Sequence, residues 1–190
     1  MFRNLCFLLL ILAGLASLSC KSDVSESVVI QASPEVVWDY LSDNSKAQYW
    51  SVFFDHISSM PGDIPDGQVG ALRRCFRNAD ETGMTWDEEV LITRPYTFRR
   101  LRTFNVQHSG YPGEANAEFW AEQEYVDLGN GKTRLTFRGV TLKPEGPFYR
   151  IMYWFLNFKV SQIFKHNLEN IKAHIEQRES YKRPHPWVAD

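Results

Sequence analysis

The sequence predicts one α+β domain, in which a curved antiparallel β-sheet wraps around a long C-terminal helix and two short helices follow the first strand. Three observations predict this class. Five strand-like segments joined by short turns fill the middle of the chain, a proline-initiated helix follows an apolar strand, and a helical pattern extends over residues 146–179. A sheet and a helix that each have one apolar face bury those faces against each other.

The first predicted elements are a strand and two short helices. Residues 27–31 form a β-branched apolar run, which is typical of a strand. Ser33 and Pro34 then occupy the N-cap and first helical positions of a helix. The polar residues 42–45 end this helix, and residues 46–54 predict a second short helix or an aromatic turn.

Strand-like and turn-like segments alternate through the middle of the chain. Pro, Gly and Asp residues predict a loop over residues 60–70, and the Gly-Asn-Gly sequence at 129–131 predicts a hairpin turn. Because short turns join neighbouring strands in antiparallel order, we expect a meander. The predicted strands are residues 69–78, 82–93, 97–107, 116–127 and 132–142.

Residues 1–20 have the pattern of a signal peptide. Arg3 precedes an uncharged run over residues 5–18, which is shorter than the roughly 20 residues that a membrane-spanning helix needs. Cys20 ends this segment and resembles the lipidated cysteine of a bacterial lipoprotein box. Such a box has leucine where Ser17 stands, so plain secretion and a retained membrane anchor stay as alternatives.

The domain boundaries follow from this reading of the N-terminus. We expect residues 21–27 to form a polar tether between the lipid and the domain. The folded domain is expected over residues 28–179, and residues 180–190 are expected to form a flexible tail. A lipid on Cys20 places the domain at the cell envelope, facing the periplasm or the exterior.

Composition and motifs make several function classes poor expectations. The formal net charge of −2 and the pI near 6.2 give no general attraction to phosphate backbones, so no nucleic-acid partner is expected. There is no Gly-x-Ser-x-Gly elbow, phosphate-binding glycine loop or dinucleotide fingerprint, so no cofactor is expected. The histidines lack the close pairing of a zinc site, so no metal is expected; they stand at positions 56, 108, 166, 174 and 185.

Residues 28–41, which read VVIQASPEVVWDYL, resemble the opening of the START-like superfamily, also called SRPBCC, which includes polyketide cyclases and lipid-transfer proteins. Trp50 and the glycines Gly67 and Gly70 are similar to its approach to the second strand, and residues 131–136 are similar to its last hairpin. The resemblance implies the helix-grip fold. It implies no catalytic residue, because no fixed catalytic set defines the superfamily.

In the helix-grip fold a ligand lies between the sheet and the long helix, so aromatic residues on those elements are candidates to line a cavity. Charged residues in the middle of strands are candidates for polar groups in that cavity, and the two that stand among apolar neighbours are Arg102 and Glu122. The candidate ligand-binding residues are Trp50, Phe53, Phe54, Trp86, Phe104, Phe119, Tyr149, Met152, Tyr153 and Leu156.

A second apolar stripe occupies the opposite side of the first turns of the long helix. It consists of Ile151, Trp154, Phe155 and Phe158. Further along the helix, the same side carries Lys and Glu residues. We therefore predict that this stripe docks on the membrane or on a partner.

The expected function is binding or transport of a hydrophobic small molecule or lipid at the cell envelope. One alternative is a polyketide cyclase or hydratase-like enzyme, which needs ionisable groups facing the ligand. Another alternative is a co-chaperone or accessory domain with a filled core. A cavity favours the first or second of these functions, and a closely packed interior favours the third.

Replacing Cys20 tests the lipoprotein prediction. In the native host, we expect the wild-type protein to enter the detergent phase of a Triton X-114 extract, and Cys20→Ala to change both this partitioning and the electrophoretic mobility, because the acyl chains are lost. Cys6→Ala, within the same segment, is the control and should change neither. If Cys20→Ala also changes neither, the protein is not lipidated at this cysteine.

Overall fold

The computed structural model describes residues 23–109, 118–141 and 147–177, with the backbone alone for residues 23, 140, 141 and 147–156. The elements in these residues are β1 (Asp23–Ile30), α1 (Pro34–Ser42), a 3-10 turn (Asn44–Lys46), α2 (Ala47–Trp50), β2 (His56–Ser59), β3 (Leu72–Phe76), β4 (Thr85–Arg94), β5 (Phe98–Gln107), β6 (Phe119–Gly129), β7 (Lys132–Thr141) and α3 (Pro147–Ile175). The strands form one antiparallel sheet in the order β1-β7-β6-β5-β4-β3-β2. With α3 packed against this sheet, the predicted helix-grip fold is confirmed.

Helix α1 begins where the sequence predicts. Ser33 keeps an extended backbone, and Pro34 takes the first helical position, where its missing N–H removes no helical hydrogen bond. Val37, Trp38 and Leu41 follow at helical spacing and are buried. They join the same hydrophobic core as β6, β7 and α3, so this helix covers one end of the sheet.

Strand β1 begins at Asp23, earlier than the predicted residue 27. The expectation of a polar tether over residues 21–27 is therefore wrong for residues 23–27, which pair with β7. Val24 is 8% exposed, and the carboxylate of Glu26 accepts a hydrogen bond from the hydroxyl of Ser161 on α3. The polar composition of this segment did not indicate a strand, because Ser25 and Ser27 face solvent.

Strand β2 forms the opposite edge of the sheet, where the sequence analysis predicted no strand. It pairs with β3, and its buried Ile57 lies opposite Cys75. Four residues with one buried side chain are too short for a recognisable alternation. Strand β3 begins at Leu72, after Gly70 turns the chain with a φ of +89°, which favours glycine.

Gly139 identifies the face of the sheet that meets α3. A Cβ atom at this position would lie 3.5 Å from the ring of Phe164 on α3. Across the sheet, Gly139 lies opposite Ala121, Ala121 opposite Leu101, and Leu101 opposite Val90. Directly opposite residues share a face, so these positions define the inner face; the other side is the outer face.

The described part of α3 packs over β1 and β7 and against α2. Asn167 on α3 accepts a hydrogen bond from the backbone N–H of Val52 at 2.8 Å, and Asn170 donates one to the carbonyl of Trp50 at 3.2 Å. Around these bonds lies the main hydrophobic core, which consists of Ile30, Val37, Trp38, Leu41, Trp50, Tyr125, Leu135, Phe137, Leu168 and Ile171. None of the helices in the described ranges is both long enough and apolar enough to span a membrane.

Truncating a core leucine on α3 tests this packing. Leu168 is 2% exposed, and we expect Leu168→Ala to lower the free energy of unfolding by about 2–5 kcal/mol, because it leaves a cavity. Leu128 on β6 is 39% exposed, and the same change there should cost less than about 0.5 kcal/mol. Urea unfolding followed by circular dichroism measures both. Equal effects would show that α3 does not close the core as described.

Candidate functional site

Buried polar side chains lie on the inner face of β3, β4, β5 and β6. Side chains two residues apart in a strand point to the same side, so the positions of Leu101 and Ala121 determine which residues share the inner face. This register brings together a set that we call the polar site: Arg73, Glu88, Arg99, Thr103, Gln123 and Tyr125. Buried polar groups need hydrogen-bond partners, so the partners of each decide what the site can do.

Arg73 and Glu88 form a buried ion pair between β3 and β4. The guanidinium Nε and one terminal nitrogen each lie 2.8 Å from Oε2 of Glu88. The indole N–H of Trp86 donates to the other carboxylate oxygen, Oε1, at 3.1 Å. Both oxygens of Glu88 are thus engaged. Beside them, burial raises the pKa of the Cys75 thiol well above its usual value, so this thiol stays protonated near neutral pH.

Arg99 is a buried cation that makes no ion pair with another residue in the described parts of the chain. It is 2% exposed, and one guanidinium nitrogen donates to the hydroxyl of Ser42 at 2.6 Å. A second nitrogen donates to the carbonyl of Leu41 at 3.5 Å, and the guanidinium carbon lies 4.3 Å from the centroid of the Trp38 ring. Among the residues that the structure describes, none is a hydrogen-bond partner of the Nε atom. Burial lowers the pKa of Arg99, as expected for a cation without a carboxylate partner.

Thr103 lies two residues beyond Leu101 on the same face of β5. It is 1% exposed, and within the described ranges its hydroxyl has no hydrogen-bond partner. On β6, the hydroxyl of Tyr125 donates to the side-chain carbonyl of Gln123 at 2.9 Å. Burial raises the pKa of Tyr125, so its hydroxyl stays protonated and acts as a donor. The polar site therefore combines satisfied groups with two unsatisfied ones, the hydroxyl of Thr103 and Nε of Arg99.

Four predicted ligand-binding residues come together in one aromatic cluster. The ring of Trp86 lies 5.1 Å from that of Phe53 and 5.3 Å from that of Phe54, and Trp50 lies 5.4 Å from Phe54. The hydroxyl of Ser51 accepts hydrogen bonds from the backbone N–H groups of Phe53 and Phe54, which holds this segment after α2 in place. Trp50 and Trp86 are buried by these contacts, so this end of the interior is filled by the protein's own rings.

Of the two other predicted strand aromatics, only one lies on the inner face. Phe119 is half-buried and lies opposite Thr103. Phe104 lies opposite Asp87 on the outer face, so its prediction as a ligand-binding residue is wrong. The guanidinium of Arg102 covers its ring at 4.8 Å from the centroid. This cation–π contact shields a large aromatic side chain without placing it in the interior.

Arg102 and Glu122 also lie on the outer face, and their prediction as polar pocket groups is wrong. Arg102 bonds Glu118 at 2.9 Å and Glu89 at 3.2 Å. Glu122 is buried, but its partners are Arg100 at 2.6 Å and Arg138 at 3.3 Å on neighbouring strands. Cross-strand Arg and Glu pairs stabilise a sheet surface, and these residues do so on the side away from α3.

The residues of the polar site were not among the predicted site residues. Adjacent charges in a strand, such as Arg73 and Arg74 or Arg99 and Arg100, must point to opposite faces, but the sequence does not determine which member points inward. The sequence signal that could have found them is the two-residue spacing of Arg99, Leu101 and Thr103, which places the three side chains on one face of the strand. Leu101 is the apolar residue that places this set on the inner face.

Several predicted site residues lie outside the part of the chain that the structure describes. Cys20 lies outside it entirely. For the predicted residues on the first turns of α3, only the backbone is described; these are Tyr149, Ile151, Met152, Tyr153, Trp154, Phe155 and Leu156. Phe158, from the predicted docking stripe, is 51% exposed. Its exposure is consistent with a surface position, and the function of the stripe stays a prediction.

The chemistry available to the polar site depends on which of its described groups are already engaged. In the parts of the chain that the structure describes, no three His, Cys, Asp or Glu side chains converge in a geometry that could hold a metal ion. Glu88 is fixed by Arg73 and Trp86, so it has no unengaged oxygen to act as a general base. Among the members of the polar site, the buried atoms without a described partner belong to the guanidinium of Arg99 and the hydroxyl of Thr103, which recognise oxygen atoms.

Solved structures share this fold at low sequence identity. A protein from Mesorhizobium loti is 15% identical over 83% of this chain and 98% of its own, with a TM-score of 0.61. A protein from Thermobifida fusca is 16% identical over 86% and 99%, also with a TM-score of 0.61. The Zhui aromatase/cyclase from Streptomyces sp. R1128 is 15% identical over 82% and 93%, with a TM-score of 0.56. No curated protein sequence matches the chain.

A family model described as polyketide cyclase / dehydrase and lipid transport matches residues 21–176. The match begins just before β1 and ends just after α3, so it covers every described element of the fold. This match confirms the resemblance to the START-like superfamily that residues 28–41 indicate. The chain belongs to the polyketide cyclase / dehydrase and lipid transport family.

Proposed function

We propose that this protein binds a hydrophobic small molecule or lipid between the inner face of the sheet and α3. The family supports a ligand of this class. The inner face has an apolar centre with polar groups around it, and this pattern matches an amphipathic ligand. The apolar centre consists of Ala71, Val90, Leu101 and Ala121.

The observation that carries the proposal is the incomplete hydrogen bonding around this apolar centre. The hydroxyl of Thr103 and Nε of Arg99 are buried on the inner face without partners. An unsatisfied buried polar group costs about 1–3 kcal/mol, so a core that only stabilises the fold gains by replacing it with an apolar side chain. A ligand that carries oxygen atoms gives these groups partners.

Binding fits the inner face better than cyclase-like catalysis. A cyclase or hydratase needs an acid or base that can exchange a proton with the ligand. Glu88 is the buried carboxylate of the polar site, and Arg73 and Trp86 engage both of its oxygens. A carboxylate held in this way stabilises the sheet and is not free to transfer a proton.

A protein-interaction domain with a filled core is the other alternative. The aromatic cluster around Trp86 fits that alternative at one end of the interior. The apolar centre fits it less well, because its neighbours Arg99 and Thr103 have polar atoms without partners. The alternative predicts that no apolar probe enters the protein.

The proposed location is the cell envelope, with Cys20 as the lipid anchor. Cys20 stands three residues before Asp23, the first residue of β1. Three residues span at most about 10 Å, so the start of β1 would lie close to the bilayer. Phe158 is exposed on α3, one turn before Ser161, which bonds Glu26 of β1. An apolar stripe on this part of α3 would lie near the same bilayer.

A bulky side chain at Ala121 tests the proposed ligand position. The fluorescence of N-phenyl-1-naphthylamine, an uncharged apolar probe, should increase when it binds the wild-type protein. We expect Ala121→Trp to weaken this binding at least about tenfold, because the indole occupies the apolar centre. Val126 lies on the outer face of the same strand, and Val126→Trp should change the affinity by less than about twofold.

Thermal unfolding of each variant checks that it folds. The proposal is wrong if the wild-type protein does not bind the probe, or if a folded Ala121→Trp variant binds it as tightly as the wild-type protein does. Substantial unfolding of Ala121→Trp together with no probe binding by the wild-type protein supports a filled interior.

A further inference from the structure

The charges of the polar site do not balance. Arg73 and Glu88 neutralise each other at 2.8 Å. Arg99 adds a second buried positive charge, and within the described residues no carboxylate lies within ion-pair distance of it. The polar site therefore has a net charge of +1, and the carboxylates of Asp66 and Glu88 act on Arg99 only from beyond ion-pair distance. Burying an ion without a counter-charge costs several kcal/mol, so the partners that Arg99 does have need to be weighed.

The partners of Arg99 stabilise its charge only in part. The carbonyl of Leu41 and the hydroxyl of Ser42 belong to the last turn of α1, where the helix dipole carries a partial negative charge. The ring of Trp38 adds a cation–π contact. All of these groups are neutral or carry partial charges, and Nε has no hydrogen-bond partner. An anion would supply both the missing charge and the missing acceptor.

The position of Arg99 relates this charge to the apolar centre. Leu101, the next inner-face residue of β5, belongs to the apolar centre, and Thr103 lies one inner-face position beyond it. Four residues along a strand span about 13 Å. An elongated ligand that lies along Leu101 thus meets a cation at one end and a hydroxyl at the other.

We propose that Arg99 binds the anionic head group of the ligand, which is an amphipathic organic acid such as a fatty acid or an acidic polyketide. This inference rests on the proposed function and specifies the class of ligand. The carboxylate accepts hydrogen bonds from the Arg99 guanidinium. The apolar part of the acid packs on Leu101 and Val90, and a second oxygen atom, where the ligand has one, bonds the hydroxyl of Thr103.

Competition between two matched ligands tests this assignment. Dodecanoate and 1-dodecanol have the same chain length and differ in the charge of the head group. In displacement of N-phenyl-1-naphthylamine at pH 8, we expect dodecanoate to bind the wild-type protein about thirtyfold more tightly than 1-dodecanol, which is typical of a desolvated charged hydrogen bond. Arg99→Gln should remove this preference and leave the affinity for 1-dodecanol within about threefold.

Arg102→Gln is the matched control. Arg102 lies on the same strand but on the outer face, so this variant should keep the preference for dodecanoate. Arg99→Lys keeps the charge but loses the planar fork of the guanidinium, so we expect it to keep part of the preference. Thermal unfolding measures how far each change at Arg99 weakens the contact with the last turn of α1.

The possible outcomes separate this inference from the proposed function. If the fluorescent probe does not bind at all, the proposed function fails and this inference fails with it. If the probe binds but dodecanoate and 1-dodecanol displace it equally, or if Arg99→Gln keeps the preference, Arg99 only caps α1 and the inference alone is overturned. If Arg99→Gln does not fold, the test uses Arg99→Lys; unchanged affinity of that variant for both ligands overturns the inference.

Discussion

The packing of α3 over β1 and β7 is the contact on which the rest of the structure depends. Leu168 and Ile171 of α3 bury themselves against Ile30 and Leu135 of the sheet. Asn167 and Asn170 connect the same helix to the chain around α2. One end of the sheet is thereby closed by apolar side chains, and this closure fixes which face of every strand is the interior.

Once the inner face is fixed, the alternation of side chains along each strand determines the character of the site. β5 turns Arg99, Leu101 and Thr103 inward and Arg100 and Arg102 outward. The outward arginines pair with Glu122, Glu118 and Glu89, as the surface of a sheet requires. The inward groups Arg99 and Thr103 are left with unsatisfied atoms, and the proposal of an acidic amphipathic ligand follows from this difference.

The sequence was sufficient to predict the fold but not the faces of its strands. Element order, the Ser33-Pro34 helix start and the 129–131 hairpin depend on local rules, and they predict the helix-grip fold. Face assignment depends on packing between elements. Phe104 is large and aromatic, which favours the interior, but Arg102 covers it on the outer face. The polar residues at the start of β1 did not indicate a strand. They are ordered by pairing with β7 and by the bond between Glu26 and α3, and these partners are distant in the sequence.

If Arg99 binds the head group of an amphipathic acid, the protein isolated from its native host should contain such an acid. Native mass spectrometry of that protein, followed by extraction and identification of any bound compound, measures this. We expect a protein ion with one additional mass, which organic extraction releases as a long-chain or polycyclic acid. A protein that contains no such compound, and that binds none when incubated with a lipid extract of its host, would overturn both the proposed function and the assignment of Arg99.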